Sequence, residues 1–97
     1  MLAPRKKLAV HPGRILAGII KDNGLSQTSL ARHLGMTQSY INDICRGRIG
    51  ISAAMAIKLG QAFKQSPNFW LNIQKNWELA QAQAEATGKV EPIKLRA

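Results

Sequence analysis

Leu25-Ser26-Gln27-Thr28-Ser29-Leu30-Ala31-Arg32-His33-Leu34-Gly35-Met36-Thr37-Gln38-Ser39-Tyr40-Ile41-Asn42-Asp43-Ile44 decides the fold of this chain. Ser26 is an N-cap, and Leu30, Ala31 and Leu34 follow at helical spacing, which predicts a short helix with one apolar face. Gly35 supplies a tight turn, and Thr37 caps a second helix whose inward residues are Ile41, Ile44 and part of Tyr40. Gln38, Ser39, Asn42 and Asp43 are left outward at the start of that second helix. Gln38 and Ser39 lie in its first turn and Asn42 and Asp43 one turn on, so all four can share a face.

Working outward from this pair, three more helices follow. Pro12 suits the first turn of a helix running to about Asp22, with Ile15, Leu16, Ile19 and Ile20 at helical spacing, and Asn23-Gly24 ends it. Arg46-Gly47-Arg48-Ile49-Gly50 reads as a basic loop. Ser52 caps a fourth helix carrying Ala53, Ala56, Ile57, Leu59 and Phe63. Ser66-Pro67, an N-cap followed by proline, opens a fifth helix through Phe69, Trp70, Ile73 and Trp77 to about Thr87, where Gly88 ends it. Phe69 and Ile73 are expected in the core. Trp77 divides between core and dimer interface, and the small Ala80 and Ala84 beyond it admit a second helix. The expected organisation is a basic arm at residues 1–10, one domain at 11–88 and a tail at 89–97. In that tail Val90, Ile93 and Leu95 alternate with polar residues around Pro92, as in a short edge strand or a disordered end. The fold class is all-α, five helices with a short extended C-terminal tail.

Ninety-seven residues make one small domain, which buries only about 60–65% of its unfolded surface, so a partner chain adds useful burial. Fourteen basic against five acidic side chains give a net charge of +9, a balance that favours nucleic acid or another anionic surface. Residues 1–50 hold eight basic and two acidic side chains, +6 of that total, so the excess leans toward the paired helices. Cys45 is alone and excludes an intrachain disulfide, which fits a reducing cytoplasm. Arg5, Lys6 and Lys7 precede apolar residues as in a signal peptide, but His11, Pro12, Gly13 and Arg14 break the run. No stretch approaches the ~20 apolar residues of a membrane span.

A basic chain with a polar helix face after a glycine turn fits a DNA major groove. Gln38 and Asn42 can pair with adenine, Asp43 can accept from a cytosine amine, and Ser39 adapts to either. Gln27 opens the first helix of the pair and can hold a phosphate together with that helix's N-terminus. Thr37 can cap and touch phosphate at once, and Arg46 and Arg48 flank the backbone. The plainer reading is a solvated polar face, but spacing, turn, caps and basic flank agree on a helix-turn-helix reader. Gly47-Arg48-Ile49-Gly50 matches the GXXG loop of KH domains, yet the following helices leave no room for the strands that fold needs. His11, His33 and Cys45 follow no metal-ligand spacing, so no metal or cofactor is expected. The five acids form no catalytic pair, and no nucleophile has a base beside it, so an enzyme is not expected.

At these residues a resemblance enters. Leu25-Ser26-Gln27, Leu34-Gly35-Met36 and Gln38-Ser39 resemble the lambda-repressor-like helix-turn-helix of the Cro/C1 (XRE-type) regulators. His11-Pro12-Gly13 before Ile15-Leu16, and Ser66-Pro67-Asn68-Phe69-Trp70-Leu71-Asn72-Ile73-Gln74, resemble the HigA family of antitoxins, across roughly residues 11–80. The resemblance implies a cytoplasmic antitoxin that neutralises a HigB-like ribonuclease toxin and represses their shared operon as a homodimer on a palindromic site. It implies Gln27 as phosphate clamp, and Gln38, Ser39, Asn42 and Asp43 as base readers. Two positions depart from the pattern: Arg14 stands where the family carries an acid, and Ile49 where a second basic loop residue is expected. A stand-alone XRE-type repressor without a toxin partner is the alternative, and a protein-interaction module with a vestigial reader is a third.

Overall fold

Each helix begins at a side chain that accepts a backbone N–H left without a partner in the first turn. The structure, a computed structural model, describes residues 9–86 and 88–96. It contains α1 (Pro12–Asp22), α2 (Gln27–Leu34), α3 (Gln38–Cys45), α4 (Ala53–Phe63) and α5 (Pro67–Glu85). The Ser26 hydroxyl accepts from the Ser29 N–H at 2.9 Å, while the Ser29 hydroxyl accepts from the Ser26 N–H at 3.1 Å. Thr37 accepts from Tyr40, Ser52 from Met55 and Ser66 from Asn68, each at 3.1 Å. In α1 the cap is an imidazole: His11 Nδ1 accepts from the Gly13 N–H at 2.9 Å. A cap of this kind contributes about 0.5–2 kcal/mol.

The turn between α2 and α3 is set by Gly35, which sits in the left-handed region at φ 73°. A side chain there costs roughly 1–2 kcal/mol. Lys58 of α4 donates from Nζ to the Leu34 carbonyl at 3.1 Å, placing a cation on the C-terminal end of α2 where the helix dipole favours it. With its ends held from both sides, α2 packs on α3 while α4 supports it from behind.

Leu16 and Ile20 of α1, Leu30, Ala31 and Leu34 of α2, and Ile41 and Ile44 of α3 meet in one core. Ile51 of the loop before α4, Met55, Ala56 and Leu59 of α4 and Trp70 of α5 complete it. Trp70 is fully buried, and its indole N–H donates to Gln65 Oε1 at 2.8 Å, so burying it leaves no donor unpaired. Gln74, one turn on, is the buried polar residue of the core: its Oε1 accepts from the Ile51 N–H at 2.8 Å and its Nε2 donates to Glu78 at 2.7 Å. It ties the loop after α3 to α5.

Gly13 makes the closest backbone approach. A methyl group there would overlap the carbonyl of Ile44, so α1 meets the last turn of α3 backbone to backbone. His11-Pro12-Gly13 is therefore a packing device, with Pro12 fully buried at the first helical position.

In several places the side chains depart from the periodic reading. Ala53 and Ile57 of α4 face solvent, Ile57 with 48% of its surface exposed, and Met55 takes the core position instead. Phe69 is 41% exposed and meets Trp70 edge-on at 5.2 Å between centroids. Adjacent residues point in different directions from a helix, and here Trp70 takes the inward place. The last helix ends at Glu85, short of Thr87, which lies outside the described residues, as do arm residues 1–8. Residues 88–96 form no strand, and Val90, Ile93 and Leu95 are exposed.

Gly13→Ala should cost at least about 1–3 kcal/mol by overpacking against a backbone that cannot yield cheaply, lowering Tm by roughly 4–8 °C per kcal/mol in thermal unfolding. The His11 imidazole is held below its ordinary 6.5 by burial, opposed by a hydrogen bond with the Ile49 backbone. The unfolded chain therefore protonates this ring first. Its contribution is complete above about pH 6.5 and is lost as pH falls through the folded value. Urea midpoints should fall on acidification through that range, and His11→Asn should remove the histidine part of the slope.

Candidate nucleic-acid interface

Ile41 and Ile44 face the core, so helical geometry turns the opposite side of α3 outward. That side carries Ser39 at its centre, with Gln38 and Asn42 along one flank and Asp43 along the other. Gln38 and Ser39 are exposed, while Asn42 and Asp43 are partly buried. Arg46, the C-cap of α3, and Arg48 lie just past the helix and are exposed. Thr37 is exposed, but its hydroxyl is engaged in capping Tyr40.

The side chain that opens α3 is bonded to the one that opens α2. Gln38 Nε2 donates to Gln27 Oε1 at 2.9 Å, bringing together the first residues of the two helices. Sequence reading gave these glutamines separate roles, one on phosphate and one on a base, and missed the bond between them. The available signal was that each opens its own helix, eleven residues apart, in a pair joined by a tight turn. Each amide keeps a free edge: Gln38 its carbonyl oxygen, Gln27 its NH2 group. A bond between two flexible side chains removes rotamer freedom that a bound duplex would otherwise have to remove.

Asp43 has a partner within the chain. Its Oδ1 accepts from Arg48 Nη1 at 3.2 Å, with the arginine side chain 58% exposed and the carboxylate 35%. An ion pair this exposed adds about 0–1 kcal/mol to stability. Its larger effect is on charge: the carboxylate on the outward face of α3 is balanced by the guanidinium after it.

His11 and Gln74 are the supporting residues that sequence reading did not assign. Pro12 at the first helical position already implied that His11 caps α1. Nothing in the sequence marked Gln74 as buried, because its partner Ile51 N–H is 23 residues away. The candidate dimer residues separate. Trp77 is partly buried and meets His11 edge to face, with centroids 4.9 Å apart and rings at 79°. Ala80 is buried within the single chain, and Ala84 is exposed. Burial raises the Cys45 thiol above its ordinary range, which leaves it a poor nucleophile. His33 lies exposed on α2.

A groove of about 710 Å3 runs past Ile19, Leu25, Leu30, His33, Ala62 and Phe63, and α3 takes no part in lining it. No helix among the described residues is long and apolar enough to cross a membrane.

The helix-turn-helix family profile matches residues 17–70, from within α1 to the first turn of α5. Virulence-associated protein A' of Dichelobacter nodosus is 36% identical over 94 residues, covering 96% of this chain and 82% of that protein. The Pseudomonas aeruginosa protein PA4674, solved in complex with its operator DNA, superposes with a TM-score of 0.80 at 42% identity, over 88% of this chain and 97% of that one. Pseudomonas aeruginosa antitoxin HigA, solved with the higBA promoter, gives a TM-score of 0.75 at 43% identity, over 77% and 83% of the two chains. The chain belongs to the HigA antitoxin family of helix-turn-helix proteins.

Proposed function

We propose that this protein is the antitoxin of a type II toxin–antitoxin pair, which represses its own operon by binding operator DNA and neutralises a HigB-like ribonuclease toxin. The observation that carries the DNA part is the outward face of α3, held at its start by the Gln38–Gln27 bond at 2.9 Å. Two solved structures more than 40% identical to this chain over most of their length contain operator or promoter DNA, which supports DNA binding by this chain. Toxin neutralisation rests on family membership. The protein acts by binding and needs no cofactor.

In this reading Gln38, Ser39 and Asn42 contact base edges, and Gln27 and the N-terminus of α2 hold a phosphate. Asp43 serves less as a reader than as the group that orients Arg48, and Arg46 and Arg48 lie along the backbone. Thr37 approaches phosphate while keeping its cap. A homodimer places two α3 helices one helical turn apart on a palindrome, with Trp77 and Ala84 near the two-fold contact. The arm, residues 1–10, and the tail, 89–97, flank a single domain at 11–88, and the protein works in the cytoplasm.

The base-reading and phosphate roles separate by mutation. Gln38→Ala should weaken binding to the chain's own promoter by about 1–3 kcal/mol while changing random DNA little, whereas Arg48→Ala should weaken both alike. Equal losses on both duplexes for Gln38→Ala would remove it from the readers. Two chains carry about +18, twice the charge of one. With ~6–10 phosphate contacts, affinity should drop some 10³–10⁵-fold between 50 and 200 mM salt, read by fluorescence anisotropy. Gel shifts on the promoter, with and without the product of the neighbouring gene, test the whole. A specific shift altered by that product supports an autorepressing antitoxin, and a specific shift indifferent to it leaves a stand-alone XRE-type repressor. No shift at low salt contradicts the DNA reading.

A further inference from the structure

We propose that His11 is a positioning residue for the DNA-contact loop Arg46–Gly50, holding that loop against α1 and α5 so that its arginines meet DNA already ordered. The inference rests on the DNA-binding reading above. It begins from an oddity among the caps: four helices use a serine or threonine hydroxyl, and α1 alone uses an imidazole. An N-cap needs one acceptor, which a hydroxyl or a short amide supplies as well. The imidazole does more. Nδ1 accepts from Gly13, so the proton of the neutral ring sits on Nε2, on the other side of the ring. The ring lies edge to face with Trp77 of α5. It also borders Gly47, where a β-carbon would come within 3.8 Å of the ring.

One side chain thus bonds the start of α1, meets the middle of α5 and borders Gly47 in the loop that carries Arg46 and Arg48. Gly47 lies between those arginines, so the ring beside it holds the stretch of backbone from which the cations project. The same loop is fixed at its far end by Gln74, which accepts from Ile51. At its near end Arg48 is tied to Asp43 of α3. His11 supplies a third hold, at Gly47. A loop ordered before DNA arrives loses less entropy on binding than one that must be ordered by the phosphates.

Two substitutions separate positioning from capping. His11→Asn keeps an acceptor at the cap but is too short to meet Trp77 edge to face or to border Gly47. His11→Gln carries its amide near the place of Nε2 but is a poor cap. The full chain of each variant is assayed by urea unfolding, by anisotropy on the promoter and on random duplex, and by hydrogen exchange of the loop amides. Expected are near-wild-type stability for His11→Asn at neutral pH, faster exchange at residues 47–50, and a roughly two- to tenfold loss of affinity on both duplexes. His11→Gln should be the less stable protein and the tighter binder of the two. Affinity for His11→Asn equal to wild type, or affinities that merely follow stability, would overturn the proposal while leaving the DNA reading intact. Absence of wild-type binding at low salt would overturn both.

Discussion

Gly13 lets the backbone of α1 close on the Ile44 carbonyl at the end of α3, and the position of the recognition helix depends on that approach. Without a β-carbon at residue 13, the two helices meet at a distance no other residue permits. The contact needs an ordered helix start, which Pro12 and the His11 cap provide, and it settles where the last turn of α3 lies. Leu16, Ile41 and Ile44 then fill the space behind it. The core is small, about what a chain of this length can bury, so backbone placement and caps carry a large part of the structural definition.

The outward face of α3 is shaped by two side-chain pairings of different chemistry. The Gln27–Gln38 bond links the N-termini of α2 and α3 without charge and leaves hydrogen-bonding groups on both amides. The Asp43–Arg48 pair sets an anion against a cation across the end of the helix. An unbalanced carboxylate on this face would repel a phosphate backbone, and its arginine removes most of that penalty. Arg46 adds a further positive charge beside it. Behind the face, Lys58 at the end of α2 and Gln74 beneath the loop hold the reader to α4 and α5.

Much of this was legible in the sequence, and for identifiable reasons. Helix starts announce themselves locally: Ser26, Thr37, Ser52 and Ser66 each lie within three residues of the N–H they accept. The α2–α3 core follows from spacing alone, since a short helix has only one face to bury. Burial on α4 and α5 was harder to read. Both helices carry apolar residues on more than one face, so periodicity does not choose between Met55 and Ile57, or between Trp70 and Phe69. Pairings between distant residues were not legible at all. Gln74 to Ile51, His11 to Trp77 and Gln27 to Gln38 join side chains that only the completed fold brings together. The reader residues were found by type and position, and their mutual bonds came from the structure.

The central claim is that the start of α3, the start of α2 and the loop after α3 form one DNA-facing surface. Titrating the 15N-labelled protein with its own promoter duplex, following backbone and side-chain amides, tests this directly. The account predicts the largest shifts at residues 27, 37–39, 42–43 and 46–48, including the side-chain NH2 groups of Gln27, Gln38 and Asn42, with α5 beyond Trp77 far less affected. Shifts centred on the groove between Leu25 and Phe63, with α3 unmoved, would contradict it.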